Sequence, residues 1–159
     1  MKPNPLLRQH LFQGLTGNYF SGNRIALFFF GFLTAVTIVR SLIHIIAPDG
    51  GAQSIATIPL SSFTPNGAAA VIHLFALWGL SQLLMGLVYL LALVHRRTLI
   101  PLLYFLGILE YGFRLLLTIL KPMEITGTAP GAVGNYLLVP VLIIMLILSL
   151  LPNRAELRD

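Results

Sequence analysis

Four stretches of the sequence are long enough to cross a membrane as helices, and each contains at most two charged residues. They cover about residues 25–46, 68–94, 99–120 and 135–151. A helix needs about 20 mainly apolar residues to cross the hydrocarbon core, because every backbone polar group must be bonded within the helix where water is absent. The sequence therefore predicts an all-α, polytopic membrane protein: a bundle of four transmembrane helices with a long loop between helices 1 and 2.

The composition excludes a water-soluble globular domain. Hydrophobic residues make up 57% of the 159 residues, charged residues only 9%, and the mean hydropathy is +0.88. Soluble domains carry about 25% charged residues, so this chain lacks the side chains to cover a surface in water. We interpret residues 1–159 as a single membrane domain. The absence of cysteine excludes a disulfide framework and a thiolate metal site.

The positions of the basic residues predict how the helices are oriented. Seven Lys and Arg residues lie on one side of the spans and only Lys121 lies on the other; the seven are Lys2, Arg8, Arg24, Arg96, Arg97, Arg154 and Arg158. Basic residues are enriched on the cytoplasmic side of membrane proteins, so both termini are predicted to be cytoplasmic, at a bacterial inner membrane. The loop of residues 47–67 then lies outside. The net charge of +5 reflects this topology, and no nucleic-acid partner is expected.

Residues 1–24 precede the first span and are predicted to form a cytoplasmic interfacial segment. Leu7, Leu11 and Leu15 recur at every fourth residue, opposite polar side chains. This spacing is typical of a short helix lying in the membrane interface. A frayed terminus is the other interpretation.

Titratable residues within the spans are the main candidates for function, because burying them in hydrocarbon costs roughly 2.5 to 3.5 kcal/mol each. At 1.5 Å per residue from the outer end of each span, His44 lies at a depth of about 3 Å and His73 at about 7.5 Å. Arg40 and Arg114 lie at about 9 Å, and Glu110 lies at about 15 Å. All five are predicted to lie in the outer half of the membrane.

The spacing of these residues predicts a polar cavity open to the outer side. Arg40 with His44, and Glu110 with Arg114, are i,i+4 pairs, and each pair shares one face of its helix. If both faces and His73 point inward, the cavity carries a charge of about +1 with neutral histidines. Because Arg presents a planar fork of donors, we expect this site to bind a carboxylate, a phosphate or a quinone carbonyl.

Other interpretations of these residues remain open. In a purely structural one, Glu110 and Arg114 neutralise each other while Arg40 and His44 extend their polar ends to the interface. In another, His44 and His73 ligate a haem. The sequence has no hydrolase, metalloprotease or phosphate-loop motif, so we expect no catalytic residues and no bound metal.

The stretch from Leu77 to Leu120 resembles the DoxX-like group of small bacterial membrane proteins with four helices. The residues that carry the resemblance are Gly79 and Gly86, the pair Arg96-Arg97, and the run Gly112-Phe113-Arg114. The resemblance implies a compact four-helix bundle that works beside a quinone-linked oxidoreductase complex. It also implies that Arg114 is the intramembrane arginine of the group.

Two functional hypotheses follow. In the first, the protein is an accessory subunit of a larger membrane complex, or it binds a quinone-like ligand or an anionic lipid. Its partners are then membrane lipids and other membrane subunits, or further copies of itself. The alternative is a membrane-embedded enzyme or a transporter of small solutes that uses Arg40, His73, Glu110 and Arg114.

Overall fold

The structure is a computed structural model that describes residues 18–123 and 125–151. It contains four α-helices, which we number α1 (Arg24–Ile46), α2 (Pro65–His95), α3 (Ile100–Leu120) and α4 (Pro130–Leu150). Short 3-10 turns at Leu60–Ser62 and Arg97–Leu99 precede α2 and α3, and no strand occurs in the part of the chain that the structure describes. The prediction of an all-helical fold is confirmed.

All four helices are long and apolar enough to cross a membrane. The predicted spans agree with the helices closely at α1 and α3. The fourth helix begins at Pro130 rather than near Asn135, and it continues through Pro140. Proline is tolerated at the first helical position, because the N–H it lacks would have no partner there. The predicted interfacial helix around Leu7 and Leu11 lies outside the described residues.

Side-chain caps mark the starts of α1 and α2. The Asn23 side chain accepts a hydrogen bond from the Ile25 N–H at 2.9 Å, and Thr64 Oγ1 accepts one from the Gly67 N–H at 3.2 Å. Each interaction satisfies a backbone donor that has no partner inside its helix.

The helices run in alternating directions, so the chain segments gather at two ends. At one end the Asn18 side chain donates to the Val94 carbonyl, and the Asn23 N–H donates to the Leu148 carbonyl. At the other end residues 47–64 meet residues 125–127, where the Thr126 N–H donates to the Thr57 carbonyl. We call the first the turn end and the second the loop end.

Glycines set the close approach of α1 and α2. A Cβ atom at Gly79 would lie 2.8 Å from His44 Cβ, and one at Gly86 would lie 2.8 Å from Ile38 Cγ1. The backbones therefore touch where side chains are missing, as small residues allow in membrane helices. Because Gly79 lies beside His44, close to the end of α1, the first turns of α2 continue past the last residue of α1.

The core of the bundle lies toward the turn end. Phe30 on α1 contacts Tyr89 on α2 and Tyr104 on α3, with ring centroids 5.3 Å and 5.4 Å apart. The Tyr104 hydroxyl donates to the Ala26 carbonyl at 2.6 Å. All of these side chains are buried, which leaves the polar residues of the helices to meet nearer the loop end.

Candidate functional site: a cationic cavity near the loop end

A chain of hydrogen bonds links three helices across the bundle. Arg40 Nη2 on α1 donates to Gln82 Oε1 on α2 at 3.0 Å, and Gln82 Nε2 donates to Glu110 Oε1 on α3 at 2.8 Å. The same carboxylate oxygen accepts a hydrogen bond from Arg114 Nη2, one turn farther along α3. Gln82 thus connects two charged groups that lie on separate helices.

The two arginines have different electrostatic surroundings. Arg114 forms an ion pair with Glu110, so its charge is compensated on its own helix. Arg40 has a neutral amide as its polar partner, and its Nε is buried and makes no hydrogen bond among the described residues. Within residues 18–123 and 125–151, no carboxylate lies within ion-pair distance of Arg40. Among the described residues, the group therefore keeps one positive charge without an ion-pair partner, located at Arg40.

Trp78 on α2 is the aromatic centre of the group. The guanidinium carbon of Arg40 lies 5.4 Å from the centroid of its ring, and that of Arg114 lies 4.9 Å from it. Both distances fall within the range in which a cation is attracted to an aromatic face. The ring of His44 lies 4.7 Å from Trp78 by centroids. Trp78 is also the only tryptophan in the chain, which makes it a reporter of this site.

His44 connects the group to the loop end. The side chain is only 3% exposed, and its Nδ1 lies 2.7 Å from the Gly50 carbonyl oxygen. A carbonyl only accepts hydrogen bonds, so Nδ1 carries a proton and donates it. In the neutral ring the other nitrogen, Nε2, is then an acceptor.

A cavity of about 200 Å³ opens beside these side chains. This is several times the volume of roughly 30 Å³ that one water molecule occupies in the liquid. Polar and charged side chains line one part of the wall and apolar ones the rest. The lining residues include Arg40, His44, Ile55, Ala56, Phe75, Trp78, Arg114, Thr118, Ala129, Gly131 and Asn135.

The segment after α1 covers part of this cavity, and a tight turn holds it in place. Gly50 and Gly51 adopt φ values of 59° and 73°, a conformation that costs little without a Cβ. The Asp49 carboxylate accepts hydrogen bonds from the N–H groups of Ser54 at 2.7 Å, Gly51 at 2.9 Å and Gln53 at 3.2 Å. These bonds, the one from Ser54 above all, lower the pKa of Asp49 to about 2.

Three of the five predicted site residues line the cavity: Arg40, His44 and Arg114. Glu110 lies behind them, where it accepts hydrogen bonds from Gln82 and Arg114. Its ion pair with Arg114 is the one that their spacing predicts.

The structure does not bring His73 to this group. Its side chain is exposed, and it is not among the residues that line the cavity with His44. His73 precedes Gln82 by nine positions on α2, which is about 13 Å along the helix axis. The predicted depth was counted from Ala68, whereas α2 begins at Pro65 and its first turns continue past α1. This placement does not support a haem held by His44 and His73. It also does not support the hypothesis of an enzyme or a transporter that uses His73.

Sequence reasoning missed three residues of the site: Trp78, Gln82 and Asn135. Trp78 and Gln82 are four residues apart, so they share one face of α2, and both are unusual in a leucine-rich span. That spacing was a usable signal. Asn135 lay at the predicted edge of the fourth span, where a polar residue needs no explanation.

Comparisons with models of known families, with curated proteins and with solved structures give no match to this chain. The resemblance of residues 77–120 to the DoxX-like group stays a prediction.

Proposed function

We propose that the protein is an integral membrane protein that binds the head group of a lipophilic ligand in the cavity near the loop end. The head group carries an oxygen acceptor, which is either the anionic oxygen of a lipid or fatty acid, or the carbonyl of a quinone-like ring. The observation that carries the proposal is Arg40, a partly buried guanidinium beside the cavity whose charge no described carboxylate compensates.

The energetics of a buried charge support this role. A guanidinium inside the hydrocarbon region is costly unless a partner offsets the lost hydration. Gln82 supplies one neutral acceptor, and Arg40 Nε stays without a hydrogen bond among the described residues. An oxygen from a ligand would supply the missing acceptor, and hydrogen bonds to charged groups contribute about 1.5 to 3 kcal/mol each.

The apolar part of the cavity wall favours a lipophilic molecule over a small polar solute. Ile55 and Phe75 lie on the same wall as the cationic groups. Ligand sites commonly combine an apolar lining with a few polar groups that orient the ligand. An acyl chain or a substituted ring next to the head group would contact this lining.

The proposal includes an orientation in the bacterial inner membrane, with both termini in the cytoplasm and the loop end outside. Arg24, Arg96 and Arg97 lie at the turn end, whereas Lys121 lies at the loop end. Single cysteines at Ser61 and His95, both exposed positions in a chain without cysteine, test the orientation. An impermeant thiol reagent added to intact cells should label Ser61→Cys and leave His95→Cys unlabelled. The reverse pattern would contradict the orientation.

Trp78 fluorescence tests the binding function directly, because no other tryptophan contributes signal. The protein in lipid nanodiscs is titrated with oleate, a carboxylate probe, and separately with decylubiquinone, a carbonyl probe. We expect a saturable change with one of the two, which identifies the head group. Arg40→Gln should weaken that binding by about 10-fold or more, as loss of a charged hydrogen bond predicts.

The matched control is Arg24→Gln, which removes an arginine from the other end of the same helix. It should bind the probe like the unmodified protein. No saturable response to either probe, or equal responses from Arg40→Gln and Arg24→Gln, would overturn the proposal.

The role as a subunit of a larger complex stays a prediction. Purification in native nanodiscs followed by mass spectrometry tests it, because a subunit should be recovered with other membrane proteins at fixed stoichiometry.

A further inference from the structure

A second hollow, of about 110 Å³, lies between α1 and α4 and is mostly apolar. Phe32 and Val36 on α1 line it from one side, and Leu138 on α4 lines it from the other. Phe32 is 64% exposed and Val36 is 44% exposed, so this hollow is a groove on the outer surface of the bundle. We call it the α1–α4 groove.

The α1–α4 groove and the cavity meet at the same residues. Arg40, Gly131 and Asn135 line both of them. Arg40, whose charge no described carboxylate pairs with, therefore lies where the apolar groove reaches the polar cavity. A long molecule with an acceptor at one end and a hydrocarbon chain at the other would match both sets of walls.

Two glycines on α4 leave the groove open. A Cβ atom added at Gly131 or at Gly134 would meet no heavy atom within 4 Å. The α1–α4 groove is therefore accessible from the side of the bundle, which faces lipid if the helices span a bilayer as proposed.

The segment after α1 covers part of the cavity at the loop end. Ile55 and Ala56 line the cavity from the segment after α1, which the Gly50 carbonyl attaches to His44. The next residue, Thr57, accepts hydrogen bonds at its carbonyl from the Thr126 N–H at 3.0 Å and from the Thr126 hydroxyl at 3.1 Å. This part of the segment is thus tied both to α1 and to the connection before α4.

We infer that the ligand is a membrane amphiphile that enters sideways between α1 and α4, with its hydrocarbon chain in the α1–α4 groove and its head group at Arg40. This inference rests on the proposed binding function and adds the chain and the route. It predicts that a lipid-derived ligand binds more tightly than a water-soluble molecule with the same head group.

The first test compares probes with and without a chain. Oleate is paired with butyrate, and decylubiquinone with the same quinone ring lacking its decyl chain. Trp78 fluorescence in nanodiscs measures each dissociation constant. The chain-bearing member of the responding pair should bind at least about 10-fold more tightly in an Arg40-dependent way, corresponding to about 1.4 kcal/mol.

The second test closes the α1–α4 groove without disturbing packing. Gly134→Leu places a side chain in open space at the groove and should slow association of the chain-bearing probe by about 10-fold or more. Gly112→Leu is the matched control, because a Cβ there also meets nothing within 4 Å, and that glycine lines a different hollow with Ile108 and Leu116. Val36→Phe fills the groove from α1 without adding a second tryptophan, and it gives the same reading should Gly134→Leu fail to fold.

The outcomes separate the two claims. Equal Arg40-dependent binding of the probes with and without a chain would overturn the sideways route and leave the binding function standing. Association rates that are the same in Gly134→Leu and Gly112→Leu would do likewise. No Arg40-dependent binding by any probe would overturn both.

Discussion

The two ends of the bundle use aromatic residues in opposite ways. Toward the turn end, Phe30, Tyr89 and Tyr104 fill the space between three helices, and each is at most 4% exposed. Toward the loop end, Trp78 meets two guanidinium groups beside a cavity of about 200 Å³. We call these the aromatic half and the cavity half. One half thus packs rings from three helices together, while the other leaves a cavity that the proposed ligand would occupy.

Phe30→Ala should have the largest effect on stability, because it empties the centre of the aromatic half. Phe30 is fully buried, and truncations of buried Phe typically cost about 3 to 5 kcal/mol. Thermal unfolding followed by circular dichroism measures the loss. Phe28→Ala, two residues away at a site that is 77% exposed, is the control and should change stability little. Equal losses from the two variants would break the division into two halves.

Glu110→Ala tests whether charge, rather than packing, sets the stability of the cavity half. The change leaves Arg114 without its ion-pair partner, and because the pair is partly buried we expect a loss of about 1 to 3 kcal/mol. Removing Arg114 as well should restore much of the loss. A double-mutant cycle on unfolding free energies measures this coupling, and additive effects would show that the pair is energetically inert.

Gly79→Ala should destabilise the protein by about 1 to 3 kcal/mol, because extra atoms in a tight contact force the backbone apart. The added Cβ would lie 2.8 Å from His44 Cβ and 3.0 Å from the Ser41 carbonyl oxygen, which cannot rotate away. At Gly86 its nearest neighbour is Cγ1 of Ile38, which a side-chain adjustment can move. Gly86→Ala should therefore cost less. The reverse order in thermal unfolding would place the tightest contact of α1 and α2 outside the cavity half.

The smallest expected effect concerns pH and the cover of the cavity half. The pKa of Asp49 is about 2 in the folded protein, below its ordinary value of 3.8. The contribution of the Asp49 carboxylate to the free energy of unfolding is therefore complete well above pH 4, and it is lost as the pH falls through the folded pKa. Solvent screens this carboxylate, so we expect about 1 kcal/mol. Asp49→Asn should flatten this part of the pH profile of thermal stability. An unchanged profile would show that the turn does not depend on the carboxylate.

The helices were largely predictable because hydropathy over 20 residues depends little on tertiary context. The first and third spans agree with α1 and α3. The start of α4 was harder to place, because Gly131 and Gly134 look like loop residues in the sequence. Only the surroundings of a helix show whether its glycines leave a groove open.

The candidate site was predictable where one helix carries both partners. The i,i+4 spacing was enough for Glu110 and Arg114, which form an ion pair. Contacts between helices depend on how each helix is rotated and shifted along its axis, and neither is encoded in spacing. Gln82 joins Arg40 to Glu110, but its place in the sequence does not show which helices it connects. His73 failed to join the group for the same reason.

The length of α2 has a consequence for the surrounding bilayer. Its 31 residues extend about 46 Å, whereas the hydrocarbon core is about 30 Å thick. Fitting that length by inclination alone would require a tilt of about 50°, beyond the range observed for such helices. In the proposed membrane setting, lipids beside the first turns of α2 must stretch to cover exposed Leu74, or those turns must stand in the headgroup layer. We therefore expect the protein to partition into thicker membranes when two bilayer thicknesses coexist.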